Sequence, residues 1–212
     1  MRKKINPVFI FTVLATLVGI LIINRPKFED HPVKTKQNPV QVETQALHNI
    51  NKPIIDVSGW QRPSEINYDT LTQNISGAIV RVHSGAQVSV ENDASFKNGV
   101  DKAYKEHITE FQKRNVPVAV YAYVAGKNVE EMEKAAEAFY NAASPYNPSY
   151  YWLDVEEKTM SDMNQGVEAF RAKLASLGAK NIGIYVGVYF MEEHSISIDN
   201  YSAIWIPSYG TN

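Results

Sequence analysis

The sequence predicts an α/β protein: a flattened, irregular β/α barrel of the TIM-like type, C-terminally incomplete and preceded by a single N-terminal transmembrane helix. Three observations predict it. From residue 53 onward, short apolar strand candidates alternate with helical stripes, the pattern of a parallel sheet joined by crossover helices. Acids and aromatics fall where several of those strands end, the rim on which a β/α barrel carries its site. A basic start followed by one apolar run opens the chain.

That opening divides into segments. Arg2, Lys3 and Lys4 lie in a basic segment, 1–7. The apolar run of 8–24 has no polar face and sits alone at the terminus. Its length approaches the ~17–25 residues of a spanning helix. It ends Gly19-Ile20-Leu21-Ile22-Ile23-Asn24 with no small-x-small pair, so an uncleaved signal anchor is expected. A cleaved signal peptide, leaving the domain secreted, is the alternative. The basic start predicts a cytoplasmic N-terminus and an exported domain, although Arg25 and Lys27 on the far side oppose that orientation. Residues 25–52, with Pro26, Pro32 and Pro39, read as a flexible extracytoplasmic linker. Residues 53–212 are the folded domain.

Within it, Ile54 to Val57, Ala78 to Val82, Val116 to Val124, Tyr150 to Val155, Asn181 to Val186 and Ala203 to Ile206 are strand candidates. Phe96, Val100, Ala103, His107 and Phe111 share one face of a helix before the third strand. Val129, Met132, Ala136, Phe139 and Ala143 form the next stripe, with Asn128 and Glu131 as its capping box. Met160, Met163, Val167, Phe170, Leu174 and Leu177 form the last, stopped by Gly178. These stripes read as core.

Composition narrows the chemistry. The 212 residues are 44% hydrophobic and 21% charged, enough for one domain with a sizeable core. A net charge of -2 offers no field for nucleic acid. The absence of cysteine excludes disulfides, thiolate metal sites and a Cys nucleophile. His31, His48, His83, His107 and His194 show no ligand spacing, so no metal is expected. No strand leads into a Gly-rich phosphate loop, so no nucleotide cofactor is expected either.

The chemistry concentrates in Tyr150-Tyr151-Trp152-Leu153-Asp154-Val155-Glu156-Glu157. Side chains alternate along a strand, so Asp154 and Glu156 share a face, with Cα atoms roughly 6.6–6.8 Å apart. Two carboxyls held side by side resist double ionisation. A proton donor beside a charged stabiliser is what cleavage of a glycosidic bond requires. Asp56 ends the first strand, Tyr123 the third and Tyr185 the fifth, while Trp205 and Tyr209 flank the end of the sixth. Such aromatics suit the stacking of sugar rings. Each has a plainer reading. Asp56 before Ser58-Gly59 suits a turn. Asp154 and Glu156 suit the approach to a helix. Trp60 and Trp205 suit a core, and His83 a packing role. Ser58, His83 and Asp56 assemble into a triad on paper, but no G-x-S-x-G elbow supports it.

Taken together, these residues resemble glycoside hydrolase family 25, the muramidases. Ile55-Asp56-Val57-Ser58-Gly59-Trp60-Gln61 followed by Asn67-Tyr68 is similar to the family's N-terminal signature. Asp93, Phe96 and Asn98 resemble its helix start, and Val118 to Tyr123 its third strand. Leu153-Asp154-Val155-Glu156 matches its D-x-E strand. Gly183-Ile184-Tyr185-Val186-Gly187 and Ile204-Trp205-Ile206-Pro207-Ser208-Tyr209-Gly210 resemble later strands, all in order over roughly 53–212. The resemblance implies an N-acetylmuramidase that cleaves the β-1,4 bond between N-acetylmuramic acid and N-acetylglucosamine in peptidoglycan. It implies Glu156 as general acid. Asp154 is then the partner carboxylate, which stabilises positive charge or orients the substrate's acetamido group. Asp56 positions substrate and tunes the pair. Tyr123, Tyr185, Trp205 and Tyr209 would bind substrate, with no cofactor.

The chain departs from that family in one respect. Family members continue past the Trp205 strand with two further strands and a late acid, whereas six staves leave an open edge. The expectation is a fragment or a truncated enzyme, of low stability or activity in isolation. The competing functional class is a non-catalytic peptidoglycan-binding module derived from such an enzyme.

Overall fold

The computed structural model describes residues 52–85 and 91–208. The predicted anchor, almost all of the linker, and Tyr209 lie outside these residues. Among the described residues no helix is long and apolar enough to cross a membrane.

Six parallel strands form one sheet in sequence order: β1 (Ile54–Val57), β2 (Gly77–His83), β3 (Val118–Tyr123), β4 (Tyr151–Val155), β5 (Ile182–Val186) and β6 (Ala203–Trp205). Every sequential neighbour is a spatial neighbour, as right-handed βαβ crossovers produce when all turn the same way. The linking helices are α1 (Tyr68–Thr72), α2 (Tyr104–Lys113), α3 (Val129–Ala143), α4 (Met163–Leu177) and α5 (Val188–Glu193). The sheet is curled. In a flat sheet β1 and β6 would stand about 24 Å apart, at ~4.8 Å per step. Yet Asp56 of β1 and Trp205 of β6 line one cavity. The architecture is an α/β half-barrel of six strands.

Alternation along the strands sorts two faces. Val80, Val82, Val120, Ala122, Leu153, Val155, Ile184 and Val186 point outward and are wholly buried under the helices. Against them pack Ile108 and Phe111 of α2, Met132 and Phe139 of α3, and Phe170 and Leu174 of α4. The core therefore sits between sheet and helices, and the concave face is left for the site.

Helix ends follow the sequence closely in two places. The Asn128 side chain accepts the N–H of Glu131 at 2.9 Å, and Glu131 Oε2 takes the N–H of Lys127, one residue before the expected partner. Gly178 ends α4 at φ +107°, a left-handed value that a side chain resists. Elsewhere the helical stripes overreach. The helix expected from Phe96 begins only at Tyr104. Gly99 turns the chain at φ +86°, and bridges His83–Val100 and Ser95–Asp101 hold 95–101 as a folded-back loop. Phe96 is accordingly exposed rather than packed. Met160 likewise precedes α4, which Asp162 caps through the N–H of Gln165.

Candidate active site

The inner face presents its residues in layers set by strand register. Asp56 pairs with Ile79, Arg81 with Tyr121, Tyr121 with Trp152, and Asp154 with both Tyr123 and Tyr185. Tyr185 pairs in turn with Trp205. A cavity of about 220 Å³ opens onto this face, lined by Asp56, Ile79, Tyr121, Trp152, Asp154, Glu156, Tyr185 and Trp205. Three carboxyls from two strand ends thus meet in one aromatic-walled hollow.

The acids differ in surroundings. Asp154 is largely buried on β4, while Glu156 follows the strand end and is exposed. Burial lifts the Asp154 carboxyl well above the ordinary carboxylate range. The Glu156 charge, a hydrogen bond shared with Glu156 and the Asp56 charge push the same way, and Arg81 opposes them. The Asp154 Oδ1 is buried without a hydrogen-bond partner among the described residues. The buried Asp154 carboxyl therefore resists ionisation.

The aromatic wall is built by mutual packing. Trp205 stands edge-on to Tyr185 at 5.2 Å and to Trp152 at 6.1 Å between ring centroids. Trp152 lies against the backbone of Gly183: a Cβ there would sit 2.5 Å from its Cε3. Only glycine admits the indole at that height in the barrel.

Beyond β1 a second layer holds the loop that follows Asp56. Asp101, fully buried, accepts the N–H of Gly59 through Oδ2 at 2.8 Å and that of Ala103 through Oδ1 at 2.8 Å. His107 reaches the Ser58 carbonyl through Nε2 at 3.1 Å, and its Nδ1 faces the Tyr68 hydroxyl at 2.7 Å. Nε2 therefore donates to the carbonyl, and Nδ1 accepts from the hydroxyl. Burial pushes the His107 pKa down and agrees with a neutral ring.

Most of the expected site residues converge. Asp56, Asp154, Glu156, Tyr185 and Trp205 share the cavity. Tyr123 lies in the Asp154 layer, but its hydroxyl donates to Glu157 Oε2 at 2.8 Å, and it does not line the cavity. Trp60, expected in the core, is exposed. His83 is buried as expected, and its Nδ1 accepts the Gly85 N–H, so it takes no part in a Ser58 triad. Tyr121, Trp152 and Ile79 were not anticipated. Period-two counting back from Tyr123 and Asp154 places the first two on the inner face.

A concave half-barrel with paired acids and an aromatic wall is the frame of a glycoside hydrolase, and comparison with known proteins agrees. Residues 55–212 match the model of glycosyl hydrolases family 25, so the chain belongs to that family. GHIP of Streptococcus pneumoniae is a glycosyl hydrolase 25 described as a virulence factor participating in host cell invasion. It is 78% identical over 82% of this chain and 75% of its own, with a TM-score of 0.76. The catalytic domain of endolysin ply40, from bacteriophage P40 of Listeria monocytogenes, shares the fold at 20% identity. That match covers 74% of this chain and 73% of the endolysin domain, with a TM-score of 0.63. The autolysin LytC of Streptococcus pneumoniae, solved with a synthetic peptidoglycan ligand, also shares it at 20% identity. There the match covers 66% of this chain and 33% of LytC, with a TM-score of 0.53. No curated protein matches the chain significantly.

Proposed function

We propose that this chain is a peptidoglycan hydrolase, an N-acetylmuramidase that cleaves the β-1,4 bond between N-acetylmuramic acid and N-acetylglucosamine. The observation that carries the reading is the meeting of Asp56, Asp154 and Glu156 in one aromatic-walled cavity. The family, and the peptidoglycan ligand of LytC, support the substrate class.

Glu156, at the exposed lip, meets the glycosidic oxygen. Beside it, the buried Asp154 carboxyl resists ionisation. Proton transfer from Glu156 to the leaving oxygen accompanies breaking of the C1–O bond, with Asp154 beneath the developing positive charge. Asp154 then stabilises that charge directly, or aligns the substrate's acetamido oxygen to attack C1. Water completes the hydrolysis. Asp56 positions the sugar and adds negative potential. Tyr185 and Trp205 flank the ring.

The apolar run of 8–24 supports attachment to the cytoplasmic membrane, with the domain carried outside it on the 25–52 linker. Release of reducing ends from purified peptidoglycan tests the enzymatic reading. Wild type releases them, and Glu156→Gln is slower by about 10²–10⁴-fold, the usual worth of a general acid. Equal release by both proteins refutes the mechanism. Binding without release by wild type supports instead a non-catalytic peptidoglycan-binding module.

A further inference from the structure

The acid cavity is small for an oligosaccharide. Sites for whole ligands commonly span ~300–1,000 Å³, and this one has about 220 Å³. A second, open groove of about 710 Å³ begins where the first ends. The two share Glu156 and Tyr185. Besides these two, the groove is lined by Val188, Tyr189 and Glu192 of α5 and by Pro207.

Tyr189 is 88% exposed. Its neighbour Phe190 turns inward, packs against the core and meets the His194 ring at 4.3 Å. Phe190 therefore anchors α5, and folding does not require an aromatic at 189. A single exposed aromatic is ordinary on a protein surface. This one lines a groove continuous with the candidate proton donor.

We propose that this groove receives the sugar on the leaving-group side of the scissile bond, with the Tyr189 ring stacked on its apolar face. The inference rests on the hydrolysis proposed above. A general acid touches the oxygen between two rings, so it must stand between their sites. Glu156 is common to both cavities. Asp56 and Asp154 belong only to the first, so the ring that becomes cationic lies there. The departing pyranose then lies along α5. Glu192, exposed beside Tyr189, accepts one of its hydroxyls. Aromatic faces suit this role because a pyranose presents C–H bonds on one side and hydroxyls around its edge.

The test compares wild type, Tyr189→Ala and Tyr189→Phe on two substrates. One is the peptidoglycan glycan chain. The other is a glycosyl fluoride of the same donor sugar, whose leaving group is a single ion. For Tyr189→Ala, the ratio of kcat/KM on glycan to kcat/KM on fluoride falls about tenfold, while Tyr189→Phe keeps the wild-type ratio within about twofold. An unchanged ratio in Tyr189→Ala overturns the proposal, as does an equal fall in Tyr189→Phe, which lacks only the hydroxyl. Binding is measured in parallel by calorimetry on Glu156→Gln, with and without Tyr189→Ala, using purified glycan fragments. A Tyr189-dependent Kd in a protein whose wild type hydrolyses neither substrate leaves the subsite standing and sinks the hydrolytic reading. Active wild type with a Kd and ratio indifferent to Tyr189 does the reverse.

Discussion

Arg81 donates through Nε to Oδ2 of Asp101 at 3.0 Å, and the same oxygen takes the N–H of Gly59, three residues past Asp56. Asp101 is fully buried and the Arg81 side chain nearly so, at 14% exposed. One carboxylate thus ties β2, the loop after β1 and the turn into α2.

Removing that carboxylate strands several partners at once. Asp101→Ala leaves the guanidinium and the N–H groups of Gly59 and Ala103 without their acceptor. Loss of one member of a buried pair typically costs about 3–5 kcal/mol. Urea unfolding should show a loss of this size, and the melting temperature should fall by roughly 10 °C. A loss under ~1 kcal/mol would show that the pair is incidental.

The contact of Trp152 with Gly183 predicts an effect weighted toward activity. In Gly183→Ala the new methyl must displace the indole, whose Cε3 and Cζ3 lie 2.5 and 2.6 Å from its position. Overpacking of this kind costs roughly 1–3 kcal/mol. The indole lines the cavity, so its displacement reaches the site, and kcat/KM on glycan should drop at least ~10-fold while the protein remains folded. Steady-state kinetics alongside a thermal melt check this. Full activity with a lowered melt would place the strain elsewhere.

Two buried groups make stability depend on pH with opposite signs. Asp154 has a raised pKa, so the native state holds its proton longer than the unfolded chain. Its contribution is complete below the ordinary value of 3.8 and is lost as pH rises toward the raised value. His83 is lowered by burial from 6.5 to about 4, so its contribution is present above 6.5 and lost as pH falls toward 4. Between these limits the two oppose each other and flatten the wild-type profile. Asp154→Asn removes one side. Relative to wild type it should gain roughly 1–2 kcal/mol at pH 8 and nothing at pH 3. Urea titrations at both pH values measure the difference, and a gain confined to acid would reverse the assignment.

Much of the site could be read before folding was considered. Asp154 and Glu156 share a face because strands alternate, and Asp56 and Tyr185 were recognisable as strand ends. Tyr123, expected at the site, and Tyr121 differ in their surroundings. Both point inward, but Glu157 follows the strand end and takes the Tyr123 hydroxyl, leaving Tyr121 in the cavity. Which of two inward residues a later loop will engage is not encoded in either strand. Phe96 illustrates a second limit. Its spacing to Val100 and Ala103 suits a helix, yet the left-handed Gly99 and the Asp101 carboxylate impose a loop. Hydrophobic spacing reports neither.

The sequence by itself determined the strand–helix alternation, the apolar outer face and the inward placing of Asp56 and Asp154, because these follow from local period and residue chemistry. Tertiary structure alone decided that β1 and β6 curl until Asp56 and Trp205 border one cavity. It also decided that Asp154 is the buried member of its pair and that Glu156 stands between two cavities. Curvature, burial and shared boundaries are properties of residues far apart in the chain, and they exist only once the sheet has curled around them.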